Sequence, residues 1–423
     1  MTSSLELPRI RSIVAPAATS CAAPRPRPQD PVRPIPLVVF ALLAVGVTGY
    51  VGAVHGLVQG LLLIIGLGLG FALFHSRFGF TSAWRQLIAV GNGQGLRAHA
   101  LLLGTAATLV MLVAAGGFSL SGNPPSASPG AIGLPLFVGA AVFAIGMQLG
   151  GACASGTLFA VGAGQTSIVI TLFGFIVGSV VYAAGYPVFT GWPQVPGIAL
   201  SDHVGWFGAW AITIAALVII VAVTRVVQRR RTPPPTDVVP TADGPARIVR
   251  GSWPLLVGAV VLGVLAGAVF LVSGGTWGVT YAFGLWGAKF LQLLGLHPET
   301  WAFWQQPGNA KALAGSVWQD KTTLTDVGIM IGAGLAAAAA GAWKFHTRVP
   351  WRTAVAALLG GILMGIGARL AGGCNIGAYL GGISRGSLHG WLWAVFALAG
   401  TWVGLRLRTL FALPNPKPTD SVC

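Results

Sequence analysis

The 423-residue chain is 54% hydrophobic and 8% charged, against roughly 25% charged residues in a soluble domain. Repeated apolar runs of about 18 or more residues exclude a soluble globular fold, and the lack of alternating ten-residue segments excludes a β-barrel. The net charge of +16 sits largely in tails and connections, among them Arg225, Arg229, Arg230, Arg231 and Arg406; it fits the positive-inside rule and anionic lipid, and no nucleic-acid motif competes.

Residues 1–35 are rich in Pro and Arg. They hold no apolar stretch ending in a small-residue cleavage site, so they read as a disordered cytoplasmic tail, not a signal peptide. Apolar runs follow near 36–54, 56–74, 100–118, 135–152, 166–184 and 207–227, forming a first membrane repeat over 36–227. Residues 228–252, rich in Arg and Pro, read as a cytoplasmic linker. Further runs near 253–273, 325–343, 353–371 and 388–406 form a second membrane repeat over 253–408, and 409–423 is a tail. The segment 277–296 is apolar but broken by glycine and carries Lys289. The insert 297–323 is expected at the membrane surface or as a short lid. The fold class is an all-α polytopic membrane protein in a lipid bilayer, with about 9–10 transmembrane helices.

The nine acidic residues all fall in tails, loops or span edges, Asp320 and Asp326 included. Cation carriers and proton relays commonly bury a carboxylate deep in a span. Its absence here points to an anionic or neutral substrate.

Two segments repeat without a gap. "FAIGMQLGGACASG" (143–156) lies over "MGIGARLAGGCNIG" (364–377), so Gly151, Cys153 and Gly156 recur as Gly372, Cys374 and Gly377. Upstream, "RFGFTSAW" (77–84) matches "TWGVTYAF" (276–283), pairing Thr81 with Thr280. With the N-terminus in the cytoplasm, the charge pattern sends run 135–152 inward and its partner 353–371 outward. The halves are therefore expected as inverted-topology repeats, with a site near the midplane where broken or re-entrant half-helices meet.

Glycine runs such as these unwind a helix and let backbones approach. A helix that restarts after the break offers free N–H groups and partial positive charge to an anion. The candidate substrate-binding residues are Gly151, Cys153 and Ser155 in one half and Gly373, Cys374 and Asn375 in the other. Gln148 and Arg369 precede the two breaks at equivalent places, and Thr81 and Thr280 are candidates to line the path or cap helices. A thiol is a weak donor with a polarisable sulfur, suited to a ligand that presents sulfur or selenium. Arg385 and His389 read as surface anchors, and Cys21 and Cys423 as bystanders. No CxxC, metal-ligand spacing or cofactor motif occurs. No catalytic residues, metal or cofactor are assigned. A membrane thiol oxidoreductase built on Cys153 and Cys374 is the competing reading.

The motifs "GMQLGGACASGT" and "GARLAGGCNIGAYLGG", with "FHSRFGFTSAWR" upstream, resemble those of the YeeE/YedE family of sulfur-compound transporters over about 37–408. The resemblance implies an hourglass-like inverted helical fold and thiosulfate uptake through the bacterial inner membrane. It implies that Cys153 and Cys374 hold the thiosulfate sulfur through S–H···S contacts, and that a small cytoplasmic sulfur-carrier protein receives the product. The family's thiosulfate transporters have a further cysteine early in the path; 75–85 and 274–283 hold none. Transport of another sulfur or selenium species, such as sulfide, persulfide or selenite, is the alternative.

Overall fold

The computed structural model describes residues 31–125, 129–233, 244–345 and 348–417. Cys21, Cys423, most of the N-terminal tail, the linker centre at 234–243 and the end of the C-terminal tail lie outside the described residues. In chain order the helices are α1 (Pro34–His55), α2 (Leu57–Ser76), α3 (Phe80–Val90), α4 (Gln94–Gly116), α5 (Leu134–Gly150), α6 (Ala154–Gly162), α7 (Thr166–Ala184), α8 (Tyr186–Thr190) and α9 (Ser201–Arg231). There follow α10 (Ala246–Arg250), α11 (Leu255–Ser273), α12 (Thr280–Leu293), α13 (Pro307–Ala314), α14 (Lys321–Ala339), α15 (Trp351–Leu370), a π-helical turn (Asn375–Leu380), α16 (Gly381–Ser384) and α17 (Leu388–Arg408). The described strands are β1 (Ile132–Gly133) and β2 (Gln194–Val195), an antiparallel pair.

Ten helical stretches among the described residues are long and apolar enough to cross a membrane. The protein is an all-α polytopic membrane protein. The membrane-crossing stretches such as α1, α5, α11 and α15 show little polar–apolar sidedness, as spans that contact both protein and lipid should. Helix α1 turns Leu42 and Val45 outward at 68% and 75% exposure, consistent with a lipid-facing position.

Glycine sets how closely the inner helices pack. Helix α15 lies between α5 and α7. A Cβ on Gly360 would stand 2.3 Å from the Gly150 nitrogen, and one on Gly361 2.3 Å from the Thr171 oxygen. Helices α2 and α14 meet in the same way: a Cβ on Gly332 would reach within 2.1 Å of the Leu67 oxygen. Without a hydrophobic driving force between spans, such close backbone contact supplies the attraction.

The glycine-broken segment 277–296, set apart from the spans in the sequence, forms α12 over Thr280–Leu293, 14 residues. Two expectations are corrected. Helix α14 begins at Lys321, earlier than the apolar run, because the Asp320 carboxylate accepts the Thr323 N–H at 2.7 Å and caps it. Asp326 is therefore not at a span edge but inside the bundle, with no exposure. His389 is also no surface anchor: it is 3% exposed, its ring standing against Gly130 and Gly372. The insert packs through Phe303 and Trp304 into an aromatic cluster with Tyr182 of α7 and Leu370 of α15.

Candidate functional site

Each break is built from the chain upward. Helix α5 ends at Gly151, whose φ of 82° lies in the left-handed region that glycine enters without a Cβ penalty. The chain then extends through Cys153, the N-cap of α6. The Cys153 sulfur accepts the Gly156 N–H at 3.3 Å and lies 3.6 Å from Ser155 Oγ. The backbone N–H of Phe80, at the start of α3, lies near the same sulfur.

Helix α15 ends in the same way. Gly372 and Gly373 have φ of 66° and 145°, and Cys374 then caps the π-helical turn. Its sulfur accepts the Ile376 N–H at 3.4 Å, and the N–H of Gly377 lies nearby. Cys153 is 2% exposed and Cys374 fully buried, within one apolar cluster. Both are free thiols, and each sulfur sits where a restarted helix presents its N–H groups and positive potential.

The residues before the breaks make equivalent contacts. Gln148 Nε2 donates to the Thr81 carbonyl at 3.4 Å, and Arg369 Nη2 donates to the Thr280 carbonyl at 2.6 Å and to that of Tyr281 at 2.8 Å. Thr81 and Thr280 are thus held to Gln148 and Arg369 through their backbones. The Arg369 guanidinium also stands over the Tyr281 and Phe303 rings at 5.2 and 5.8 Å. Asn375 is fully buried, and neither its Oδ1 nor its Nδ2 has a partner among the described residues; Thr81 Oγ1 is likewise unpartnered. The two breaks are bridged by aromatic rings: Tyr379 of the π turn packs edge-on against Phe80 and Trp84 of α3 at 6.2 and 5.7 Å.

A cavity of about 670 Å³ lies beside the start of α3, lined in part by Arg77, Arg97, Arg247 and Gly79. Gly79 is followed by Phe80, so the cavity ends next to a residue whose N–H lies near Cys153. The rest of its wall is largely apolar, with Phe78, Trp253 and Leu255 among it, so the three guanidinium-bearing residues are the features that can draw an anion to it. Among the described residues no group of three His, Cys, Asp or Glu is placed to hold a metal ion.

A family model described as sulphur transport matches residues 75–403, more than half of the chain. The chain belongs to the sulphur transport family. The probable transporter YedE of Escherichia coli (strain K12) is 36% identical over 169 residues, which are 38% of this chain and 40% of YedE; the match thus spans well under two thirds of that relative. The thiosulfate transporter TsuA of Spirochaeta thermophila is 27% identical over 361 residues, 80% of this chain and 96% of TsuA. TsuA of Escherichia coli is 28% identical over 348 residues, 80% of this chain and 92% of its own.

In this member of the sulphur transport family, the surroundings of Gln148 were missed from sequence. Arg85 Nε donates to Gln148 Oε1 at 3.0 Å, and Arg408 Nη1 donates to the Gln148 carbonyl at 2.7 Å. A guanidinium therefore stands at both breaks, carried by α15 in one case and by α3 and α17 in the other. Arg85 and Arg408 look like ordinary cytoplasmic charges in the sequence, and nothing local to either marks its partner. Asp326 and His99 were missed too. The one available signal for Asp326 was the Asp320 cap, which places the helix start upstream of the apolar run.

Proposed function

We propose that this protein takes up thiosulfate or a related reduced sulfur anion across the bacterial inner membrane, through a central pathway lined by Cys153 and Cys374. The observation that carries the reading is the paired placement of the two thiols. Each caps a restarted helix, is buried, and accepts backbone N–H groups at 3.3–3.4 Å. An anion meeting such a sulfur finds positive potential behind it and a soft, weakly donating S–H in front. The relatives named as thiosulfate transporters support this substrate.

The route enters past Arg369 and the aromatic insert, passes Cys374 and Asn375, and then reaches Cys153 with Ser155. It leaves past Gln148, Arg85 and Arg408 into the Arg-lined cavity. The unpartnered Asn375 amide and Thr81 hydroxyl serve as polar contacts along it; Gly151 and Gly373 keep the backbone open for close approach. Residues 36–227 and 253–408 form two inverted repeats joined by a cytoplasmic linker at 228–252, with the N-terminus cytoplasmic. The positive residues around 225–231 and at 406–408 support that orientation. A small sulfur-carrier protein collects the sulfur at the cytoplasmic cavity.

The test is flux into liposomes with the purified protein, comparing thiosulfate, sulfite, sulfide and selenite. Thiosulfate is expected to enter, and Cys374→Ala to abolish entry while leaving folded protein in the membrane. Equal entry through Cys153→Ala, Cys374→Ala and unmodified protein refutes the cysteine-lined path. Entry of selenite or sulfide alone transfers the same path to that substrate.

A further inference from the structure

Asp326 lies in the second turn of α14, has no exposed surface, and neither carboxylate oxygen has a hydrogen-bond partner among the described residues. An unpaired, ionised carboxylate removed from water is costly, and such groups are retained in membrane spans where they move charge. Helix α14 packs along α6, the helix that Cys153 caps, and Met330, one turn beyond Asp326, lies against Gly162 of α6. Helix α6 in turn packs against the π turn that Cys374 caps.

The first half carries a buried ionisable group at the same ordinal place in one of its helices. His99 is the sixth residue of α4 as Asp326 is the sixth of α14, and it is 1% exposed. His99 is fully occupied, however. Trp84 Nε1 donates to its Nδ1 at 3.3 Å, which leaves the ring proton on Nε2, directed to the Gly79 carbonyl. Of the two groups only Asp326 lacks partners.

The titratable groups on the elements packed against α14 are Cys153 at the α6 cap, His75 at the end of α2, Tyr50 and His55 on α1, Tyr281 and Lys289 on α12, and Arg247 and Arg250 on α10. On α14 itself they are the Asp320 cap and Lys321. His75 Nδ1 is bonded to the Gly251 carbonyl at 2.9 Å and Lys321 Nζ to that of Thr276 at 3.1 Å, so neither forms an ion pair with Asp326.

We propose that Asp326 carries a co-transported proton, so that the sulfur anion enters together with H⁺. This rests on the uptake reading above. With the proton on, the carboxyl is neutral and the dianion can occupy the cysteine-lined site between α6 and the π turn. With the proton off, the two negative charges repel across a site shielded from water. Proton and anion binding are then mutually favourable, and by linkage each raises the affinity of the other. Entry of a dianion into a compartment that is negative inside runs against the membrane potential; one accompanying proton halves the net charge moved. Sodium is the weaker candidate for this role, because it needs several oxygens. The neighbouring Thr322 and Thr325 hydroxyls are bonded, to Asp320 and to backbone carbonyls respectively.

The experiment uses full-length protein in liposomes with the membrane potential held at zero by potassium and valinomycin. With the bath one pH unit more acidic than the lumen, unmodified protein is expected to accumulate thiosulfate about tenfold, the ratio for one proton per anion. A protonophore should abolish the accumulation. Adding thiosulfate with no imposed gradient should acidify the lumen, read with a trapped pH dye, and this measurement needs no variant. Asp326→Asn should lose accumulation and acidification yet retain thiosulfate counterflow. Accumulation by Asp326→Asn at the unmodified level overturns the proposal. So does flux through unmodified protein that ignores the pH gradient or follows a sodium gradient. If unmodified protein carries no thiosulfate in counterflow either, the uptake reading itself has failed, and the proton role falls with it.

Discussion

Replacing Cys374 separates two jobs that its sulfur performs. The sulfur accepts the Ile376 N–H at 3.4 Å, and Ile376 is 1% exposed, so no water is positioned to take over that donor. Cys374→Ala removes the cap and leaves a buried N–H unsatisfied, which costs about 1–2 kcal/mol. Cys374→Ser restores an acceptor at the same place. Serine is a preferred N-cap and its oxygen accepts more strongly than a thiol sulfur, so stability should equal or exceed that of the unmodified protein by up to ~1 kcal/mol. Transport should follow a different order. If the path needs a soft sulfur contact, both variants lose thiosulfate flux, although one is as stable as the parent. Unfolding half-life in detergent and liposome flux, measured on the same preparations, give the two orders. A serine variant that transports like the unmodified protein refutes the sulfur requirement. A serine variant as unstable as the alanine variant refutes the capping role.

Gly360→Ala should destabilise by about 1–3 kcal/mol or more, because its Cβ meets the Gly150 nitrogen at 2.3 Å and backbone cannot move aside; Gly116→Ala, with nothing nearby, is the control for the same detergent-stability assay. Arg369→Lys should keep the charge but lose the forked contact to the Thr280 and Tyr281 carbonyls, lowering thiosulfate flux several-fold, or by about 1–2 kcal/mol of lost stabilisation; flux at the unmodified level would show that the charge alone suffices. The Glu299 carboxyl is held down to about 2 by the Gln292 side chain, its own backbone N–H and His297, against an ordinary value of 4.5. A lowered folded value stabilises above the unfolded one, so the 297–300 turn should be fully ordered above pH 4.5 and loosen as pH falls towards 2. Fluorescence of the neighbouring Trp301 should report that transition, and Glu299→Gln should remove it.

The spans were legible because twenty apolar residues admit little else in a bilayer. The breaks were legible as well: Gly151 and the Gly372–Gly373 pair take the left-handed backbone that the glycine runs announced, and the cysteines follow as caps. What escaped was information carried by distance in space. Arg85, Gln148 and Arg408 are far apart in sequence, and their contact depends on how three helices cross. Asp326 was misjudged because hydropathy locates the apolar stretch and not the helix, which a polar cap can start well outside it. His389 was read as a surface anchor from its place after a motif, whereas the fold tucks its ring under Gly372.

The glycine contacts between α15 and its neighbours also limit how the protein can work. Where Cβ atoms are absent and backbones touch, there is no layer of side chains to slide or re-pack, so α5, α7 and α15 move as one body. Rocking one half of the bundle against the other would have to separate these surfaces. The pieces outside that three-helix body are short: α6, of nine residues and itself in backbone contact with α14 at Gly162, and the π turn with α16, each attached through glycine. Opening to either side is then a local event of a few residues. Turnover should respond to changes in those two segments and be indifferent to cross-links that tie α5, α7 and α15 together.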